Sequence, residues 1–133
     1  MIVVDASAFL ELLLRTPTGL VVEELLGQEA AAAPHLFDAE VLHRLVTFGK
    51  QRALEQHEVD RAVANARDAP IARVDHRPLL MRARELSSAL SGYDALYAAL
   101  ADVTGGRLVT GDLAFAKTAR SQLGLEVADL IGG

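Results

Sequence analysis

The chain begins with MIVVDAS, residues 1–7, in which an apolar run is followed by an acid and a hydroxyl. Its apolar, β-branched residues 2–4 are typical of a strand buried within a parallel sheet. The strand ends on the carboxylate of Asp5, and the hydroxyl of Ser7 follows as a helical run begins. Ligands of open α/β sheets bind outside the carboxyl ends of the strands, so Asp5 and Ser7 are candidate functional residues. Either residue could instead serve only as the N-cap of the helix that follows.

The rest of the chain repeats this alternation of strand and helix. Short apolar runs predict strands at residues 2–4, 31–33, 71–75, 107–110 and 125–128. Helical periodicity predicts helices at residues 7–15, 18–27, 37–51, 56–67, 78–89, 92–103 and 113–122. Strands alternating with helices indicate an α/β fold, a three-layer sandwich around a central, mostly parallel sheet.

Length and composition exclude several classes of protein. A chain of 133 residues, 51% of them apolar, predicts one domain over residues 1–133 with a substantial core. No apolar run is long enough to span a membrane, and no signal-peptide pattern precedes the first strand, so we expect a cytoplasmic protein. The absence of cysteine excludes disulfides and thiol catalysis, and the four histidines lack the spacing of a zinc site.

The net charge of −5 would ordinarily argue against binding to nucleic acid. Two features weaken that argument. Among the 13 basic residues only Lys50 and Lys117 are lysines, and the arginines are suited to bidentate contacts with phosphate. A divalent cation bound by converging acids would also change the sign of the local electrostatic potential from negative to positive. The charge therefore leaves an RNA substrate open.

A second carboxylate repeats the position of Asp5. Asp112 follows the apolar strand 107–110 through Gly111 and precedes a helix. Because the carboxyl ends of parallel strands lie at one edge of a sheet, Asp5 and Asp112 are expected to be neighbours there. The alternative for Asp112 is again a simple N-cap.

Two further acids lie on helices that could flank the same edge. Glu40 lies beside the apolar face of helix 37–51, where it could instead be a solvated partner of Arg44. Asp94 begins a helix that is apolar nearly all round, so it must be paired, capped or bound to a cation. Its alternative role is the acid of a capping box with Ser91.

Carboxylates that converge on one site repel each other unless a cation neutralises them. Oxygen ligands without a histidine or cysteine cluster favour Mg²⁺, with Mn²⁺ as an alternative. The chemistry expected at such a site is metal-assisted attack of water on a phosphodiester.

The ordered set of acidic motifs resembles the PIN-domain ribonucleases, and among them the VapC-type toxins of bacterial toxin–antitoxin pairs. The motifs that carry the resemblance are VVDASA at 3–8, AEVL at 39–42, YDALY at 93–97 and LVTGD at 108–112. Each motif alone is weak, whereas their order and spacing over nearly the whole chain are typical of the family.

The resemblance implies roles for six residues. The quartet that would catalyse the reaction and bind one or two divalent ions is Asp5, Glu40, Asp94 and Asp112. The hydroxyls implied to orient a carboxylate, a water or the substrate phosphate are those of Ser7 and Thr110. The resemblance also implies cleavage of transfer or ribosomal RNA, a VapB-type antitoxin as partner, and a homodimer.

Two more features carry expectations. The apolar run 9–14, with Val21, Val22, Leu25 and Leu26, is either core or a groove for a partner helix, and the resemblance favours an antitoxin segment there. Asp38 is expected to be the N-cap of its helix rather than a fifth metal ligand.

Two other function classes remain open at this point. One is a metal-holding, receiver-like or RNA-binding module without catalysis, which would bind RNA and produce no fragments. The other is a phosphatase with Asp5 as aspartyl nucleophile, although such enzymes need a second acid nearby and usually a lysine for the phosphoryl group.

Overall fold

The computed structural model describes residues 1–130. Its strands are β1 (Ile2–Val4), β2 (Ala31–Pro34), β3 (Ile71–Val74) and β4 (Arg107–Val109). Its helices are α1 (Ala6–Leu13), α2 (Pro17–Gln28), α3 (Leu36–Lys50), α4 (Gln56–Asp68), α5 (Leu80–Leu86), α6 (Gly92–Thr104) and α7 (Leu113–Ser121). None of the helices described is long and apolar enough to cross a membrane.

The four strands form one parallel sheet in the order β3-β2-β1-β4. β1 pairs with β2 through Ile2 and Ala31, and with β4 through Val4 and Val109. The sheet is flanked by helices, which confirms the predicted α/β class. The carboxyl ends of β1, β2 and β4 consequently open on the same edge.

The first strand lies at the centre of the core. Ile2, Val3 and Val4 are fully buried, as expected for a strand covered on both faces. Helix α6 packs on β1, β2 and β4, and its buried surface is rich in alanine. Small side chains let a helix lie close to a sheet. Asp94 in the first turn of α6 is near enough to Asp5, which follows β1, for their charges to interact.

Helices α1 and α2 form a tight hairpin. Thr16 caps α2, with its hydroxyl accepting from the Gly19 amide at 3.0 Å and Pro17 in the first helical position. A Cβ atom at Gly19 would lie 2.0 Å from the carbonyl oxygen of Glu11. Glycine is therefore required at this crossing, and it brings the two helices together.

Two predicted elements differ from the structure. The strand predicted at 125–128 is a single bridge, in which Leu108 pairs with Val127. Gly124 has a positive φ of 64° just before it, and this turn brings the chain to β4 for one residue pair only. The helix predicted at 78–89 is a 3₁₀ turn at 77–79 followed by α5, which ends at Leu86 because the amide and hydroxyl of Ser87 both donate to the Arg84 carbonyl.

Candidate active site

The pairing of β1 with β4 places Asp5 beside Thr110. The Asp5 amide donates to the Val109 carbonyl at 3.0 Å, which extends the ladder one residue past the end of β1. The Thr110 hydroxyl donates to Asp5 Oδ2 at 2.5 Å and accepts from the Asp112 amide at 3.0 Å. Thr110 thus connects the two strand-end acids.

Ser7 makes a second connection between the two loops. Its hydroxyl donates to Asp5 Oδ1 at 2.7 Å and accepts from the Gly111 amide at 2.9 Å. Ser7 Oγ and Thr110 Oγ1 are 3.3 Å apart. The two hydroxyls therefore hold both oxygens of the Asp5 carboxylate.

Both strand-end acids also cap helices, as the alternative interpretation required. Asp5 Oδ1 accepts from the Ala8 amide at 3.0 Å, and Asp112 Oδ1 accepts from the amides of Ala114 and Phe115 at 3.0 and 3.1 Å. Within residues 1–130, Asp112 Oδ2 accepts no hydrogen bond. Capping therefore uses one oxygen of Asp112 and leaves the other open to a ligand.

Burial makes Asp5 an unusual carboxylate. Only 5% of the residue is exposed, and this desolvation raises its pKa from 3.8 to about 6 against the hydrogen bonds that lower it. The negative charge of Asp94 raises the Asp5 pKa further. Above pH 6 the fold thus holds a buried negative charge, which a cation would stabilise.

Asp94 lies within electrostatic reach of the other three acids. Partial burial raises its pKa, as do the charges of Asp112 and Glu40. The Ser91 hydroxyl caps α6 by accepting from the Asp94 amide at 3.1 Å, so one half of the expected capping box is present. The fold thus brings all four predicted acids to one region, where their charges repel.

Tyr97 is a site residue that sequence reasoning missed. Its hydroxyl donates to Glu40 Oε1 at 2.7 Å, and only 1% of the residue is exposed. Burial, followed by this bond to Glu40, raises the pKa of Tyr97 well above its usual range. A tyrosine inside an otherwise apolar helix needs a partner for its hydroxyl, and this was the signal available in the sequence.

One expectation about α3 was wrong, and one of the alternatives left open is not what the structure shows. Glu40 is bound to Tyr97 instead of Arg44, whose guanidinium lies 5.2 Å from the centre of the Phe48 ring. Asp38 is not an N-cap, because α3 begins at Leu36. Asp38 lies in the first turn and pairs with Arg73 at 3.0 Å.

The start of α3 is bound by a histidine that is distant in sequence, His76. The Leu36 amide donates to Nε2 of His76 at 2.8 Å. An amide of the first turn, which has no partner within the helix, is thus satisfied by a residue 40 positions away. This contact is part of what sets the direction of the helix that carries Glu40.

The donor set at the sheet edge suits a hard divalent cation. It consists of carboxylate oxygens, and none of the four acids pairs with a basic side chain of residues 1–130. The tightest group of possible metal ligands in that range lies elsewhere, at the exposed start of α4: Glu55, His57 and Glu58. Glu55 and Glu58 form the capping box of α4, which accounts for their proximity.

Comparison with known proteins gives the family. The family model for the PIN domain matches residues 2–121. Ribonuclease VapC12 of Mycobacterium tuberculosis is 38% identical over 112 residues, which are 84% of this chain and 87% of that protein. The chain belongs to the PIN-domain family, in its VapC branch.

Other relatives of this PIN domain agree. Ribonuclease VapC9 of M. tuberculosis is 35% identical over 127 residues, or 96% of this chain and 98% of that protein. A solved structure, PAE2754 from Pyrobaculum aerophilum, is similar with a TM-score of 0.65 and 24% identity, covering 86% of this chain and 76% of that one. The latter comparison supports the fold.

The sequence predicts Mg²⁺-dependent RNA cleavage. On that prediction, Tyr97→Phe is expected to raise the Mg²⁺ concentration needed for half-maximal cleavage by about tenfold, because Glu40 loses the donor that orients it. The ring still fills its place in the core, so the melting temperature measured by circular dichroism should change little. Thr104→Val is the matched control, since it removes one hydroxyl from the far end of α6. An unchanged Mg²⁺ requirement in folded Tyr97→Phe would contradict a positioning role.

Proposed function

We propose that this PIN domain, residues 1–133, is a divalent-metal-dependent endoribonuclease and the toxin of a toxin–antitoxin pair. The observation that carries the proposal is the coupled set of four carboxylates at one sheet edge, without a basic partner among the described residues. The relatives that are named ribonucleases support RNA as the substrate. We propose an RNA of the transfer or ribosomal class, as the resemblance of the motifs implies.

We assign the metal ligands to the acidic quartet, Asp5, Glu40, Asp94 and Asp112. Mg²⁺, or Mn²⁺ in its place, would supply Lewis-acid polarisation of the phosphodiester and a more acidic water. Asp112 is the exposed member of the quartet and offers an unoccupied oxygen, whereas Glu40 and Asp94 are half-buried and Asp5 is buried.

The remaining residues of the proposed site orient these acids. Ser7 and Thr110 fix the plane of the Asp5 carboxylate, and through it the position of the substrate phosphate. Tyr97 restricts Glu40 to one side of the site. Because these acids are already held in place, less free energy is needed to arrange them around a cation when substrate binds.

We propose a helix of a VapB-type antitoxin as the partner for a groove beside α1. A 520 Å³ cleft between α1, α2 and the end of α4 is lined by the partly exposed apolar side chains of Leu12, Leu13 and Leu26. Val22, expected to contribute, is instead fully buried in the core. By the same family membership, we propose a homodimer.

The test of the metal mechanism is RNA cleavage by protein purified free of antitoxin, with Mg²⁺ or Mn²⁺ and then with excess chelator. We expect discrete fragments with either cation and none in chelator, because the proposed site has only carboxylate ligands for catalysis. Mapping the fragment ends in total RNA from the native host would give the substrate.

A preparation of Asp112→Asn made in parallel controls for contaminating nucleases. Undiminished cleavage by wild type in chelator, with that control inactive, would rule out the metal mechanism. RNA retarded in a gel without fragments would favour the non-catalytic RNA-binding module. The aspartyl phosphatase is disfavoured, because such enzymes usually use a lysine for the phosphoryl group and none of the four acids pairs with a basic side chain of residues 1–130.

A further inference from the structure

A second cleft adjoins the proposed site on the side of Glu40. It has a volume of 390 Å³ and lies between the first turns of α3 and the start of α6. Its lining consists of Leu36, Ala39, Glu40, His43, Arg44 and Tyr93. Glu40 belongs both to the proposed acidic quartet and to the lining of this cleft, so a molecule in the cleft would lie next to the quartet.

Tyr93 gives this cleft an accessible aromatic wall. It is 64% exposed, in contrast to Tyr97 on the same helix, which is 1% exposed. Tyr93 immediately precedes Asp94 in sequence. Within residues 1–130 its hydroxyl makes no hydrogen bond, so neither the core nor a polar partner accounts for its position.

Arg44 gives the same cleft a cation without a carboxylate partner. Most other arginines of the described chain are neutralised, for example Arg15 by Glu23 and Arg82 by Glu85. Arg44 instead rests against the Phe48 ring, with 5.2 Å between the guanidinium carbon and the ring centre. A cation–π contact holds a guanidinium in place while leaving its charge available.

We propose that the cleft is a nucleobase-binding subsite, in which Tyr93 stacks on one unpaired base of the RNA and Arg44 contacts an adjoining phosphate. This inference rests on the proposed function. Aromatic side chains bind bases through their flat faces, and a base must leave its duplex to be stacked in this way. Leu36 and Ala39 supply the apolar surface that the edge of a base would cover.

The experiment uses the full chain with Asp112→Asn, in Mg²⁺, and two probes: a short single-stranded RNA and the same strand annealed to its complement. Binding is measured by fluorescence anisotropy, and a gel confirms that the RNA is intact. Tyr93→Leu should weaken binding of the single strand about tenfold, and Tyr93→Phe should not, because it keeps the stacking face. Duplex binding should be the same in all of these proteins.

A direct contact can be read from Tyr93→Trp, since the natural chain has no tryptophan. Stacking should quench this single fluorophore when the single strand is added, and the duplex should leave it unquenched. Log affinity falls as log salt concentration rises, and Arg44→Gln should make this fall less steep by about 0.7 in slope, because one phosphate contact is lost. Arg61→Gln, an exposed arginine of α4 outside this cleft, is the matched control and should leave single-strand binding largely unchanged.

Unchanged binding by Tyr93→Leu, or equal quenching of Tyr93→Trp by the duplex, would overturn the proposal. So would a lower oligomeric mass for Tyr93→Leu in ultracentrifugation, because Tyr93 would then lie against a second copy of the chain. Cleavage by the wild type is scored separately. Cleavage with no effect at Tyr93 rejects the subsite alone, whereas stacking without cleavage supports the subsite and rejects the nuclease.

Discussion

Asp5→Asn is expected to reduce RNA cleavage by at least about a hundredfold and, at the same time, to raise the melting temperature of the metal-free protein. The loss of cleavage follows because Asp5 is one of the charged metal ligands that we propose. The gain in stability follows from burial, because the fold keeps this carboxylate out of water while Asp94 repels it. Opposite changes in activity and stability are typical of a site strained for function.

The size of the gain follows from the pKa of Asp5. A rise from 3.8 to about 6 corresponds to about 3 kcal/mol of preference for the neutral form in the folded state. That preference stabilises the fold fully below pH 3.8 and is lost as the pH rises through 6. At pH 7 Asp5 is mostly charged and does not gain this stabilisation, whereas an asparagine at the same position is neutral at any pH.

Asparagine also suits the hydrogen bonds around this position. Its oxygen can accept from Ser7 and the Ala8 amide, and its nitrogen can donate to Thr110. We therefore expect a rise of several degrees by calorimetry in chelator at pH 7. Asp60→Asn, which removes one exposed charge from α4, should alter neither cleavage nor melting temperature. A marked fall in the melting temperature of Asp5→Asn would show that Asp5 is mainly a structural cap.

Leu13→Glu is expected to abolish inhibition by the antitoxin while RNA cleavage persists. Leu13 lines the groove beside α1 and is partly exposed, so a carboxylate there can remain hydrated in the free protein. A partner helix in the groove would bury that charge. We expect the affinity for the antitoxin to fall by about thirtyfold or more, as at a central apolar contact of an interface.

Growth of a bacterial host provides the measurement. Expression of the wild type alone should arrest growth, and co-expression of the cognate antitoxin should restore it. With Leu13→Glu the arrest should persist despite the antitoxin. Leu20→Glu is the matched control, because Leu20 is 50% exposed on α2 and lies outside the groove. Restored growth with Leu13→Glu would place the antitoxin elsewhere, and a folded, expressed wild type without effect on growth would count against a toxin.

The elements that the sequence predicted well are those set by near neighbours. The β-branched run 2–4 and the strand 107–110 are apolar enough to be buried, and the acids after them cap the next helices. Once both strands are parallel, the geometry of a sheet places Asp5 and Asp112 at one edge. Local pattern and the regularity of a parallel sheet were therefore sufficient for this half of the site.

The other half depended on side chains that are distant in sequence. Tyr97 and Glu40 are 57 positions apart, and their hydrogen bond exists because α6 and α3 converge on the sheet edge. The start of α3 also depends on a hydrogen bond to His76. Whether the segment 125–128 forms a strand depends on how many of its residues pair with β4. No local propensity encodes these contacts.

The alternation of elements and the parallel sheet follow from the sequence alone, because burial and helix capping act over a few residues. The four acids were predicted from their places in that pattern and from the family resemblance. Three features were visible in the tertiary structure alone. They are the hydrogen bonds that each carboxylate oxygen accepts, the bond from Tyr97 to Glu40, and the position of Arg44, without a carboxylate partner, in the cleft that Tyr93 also lines. Those features depend on packing between elements, where the partner of a polar group is whichever group the fold brings within hydrogen-bond distance.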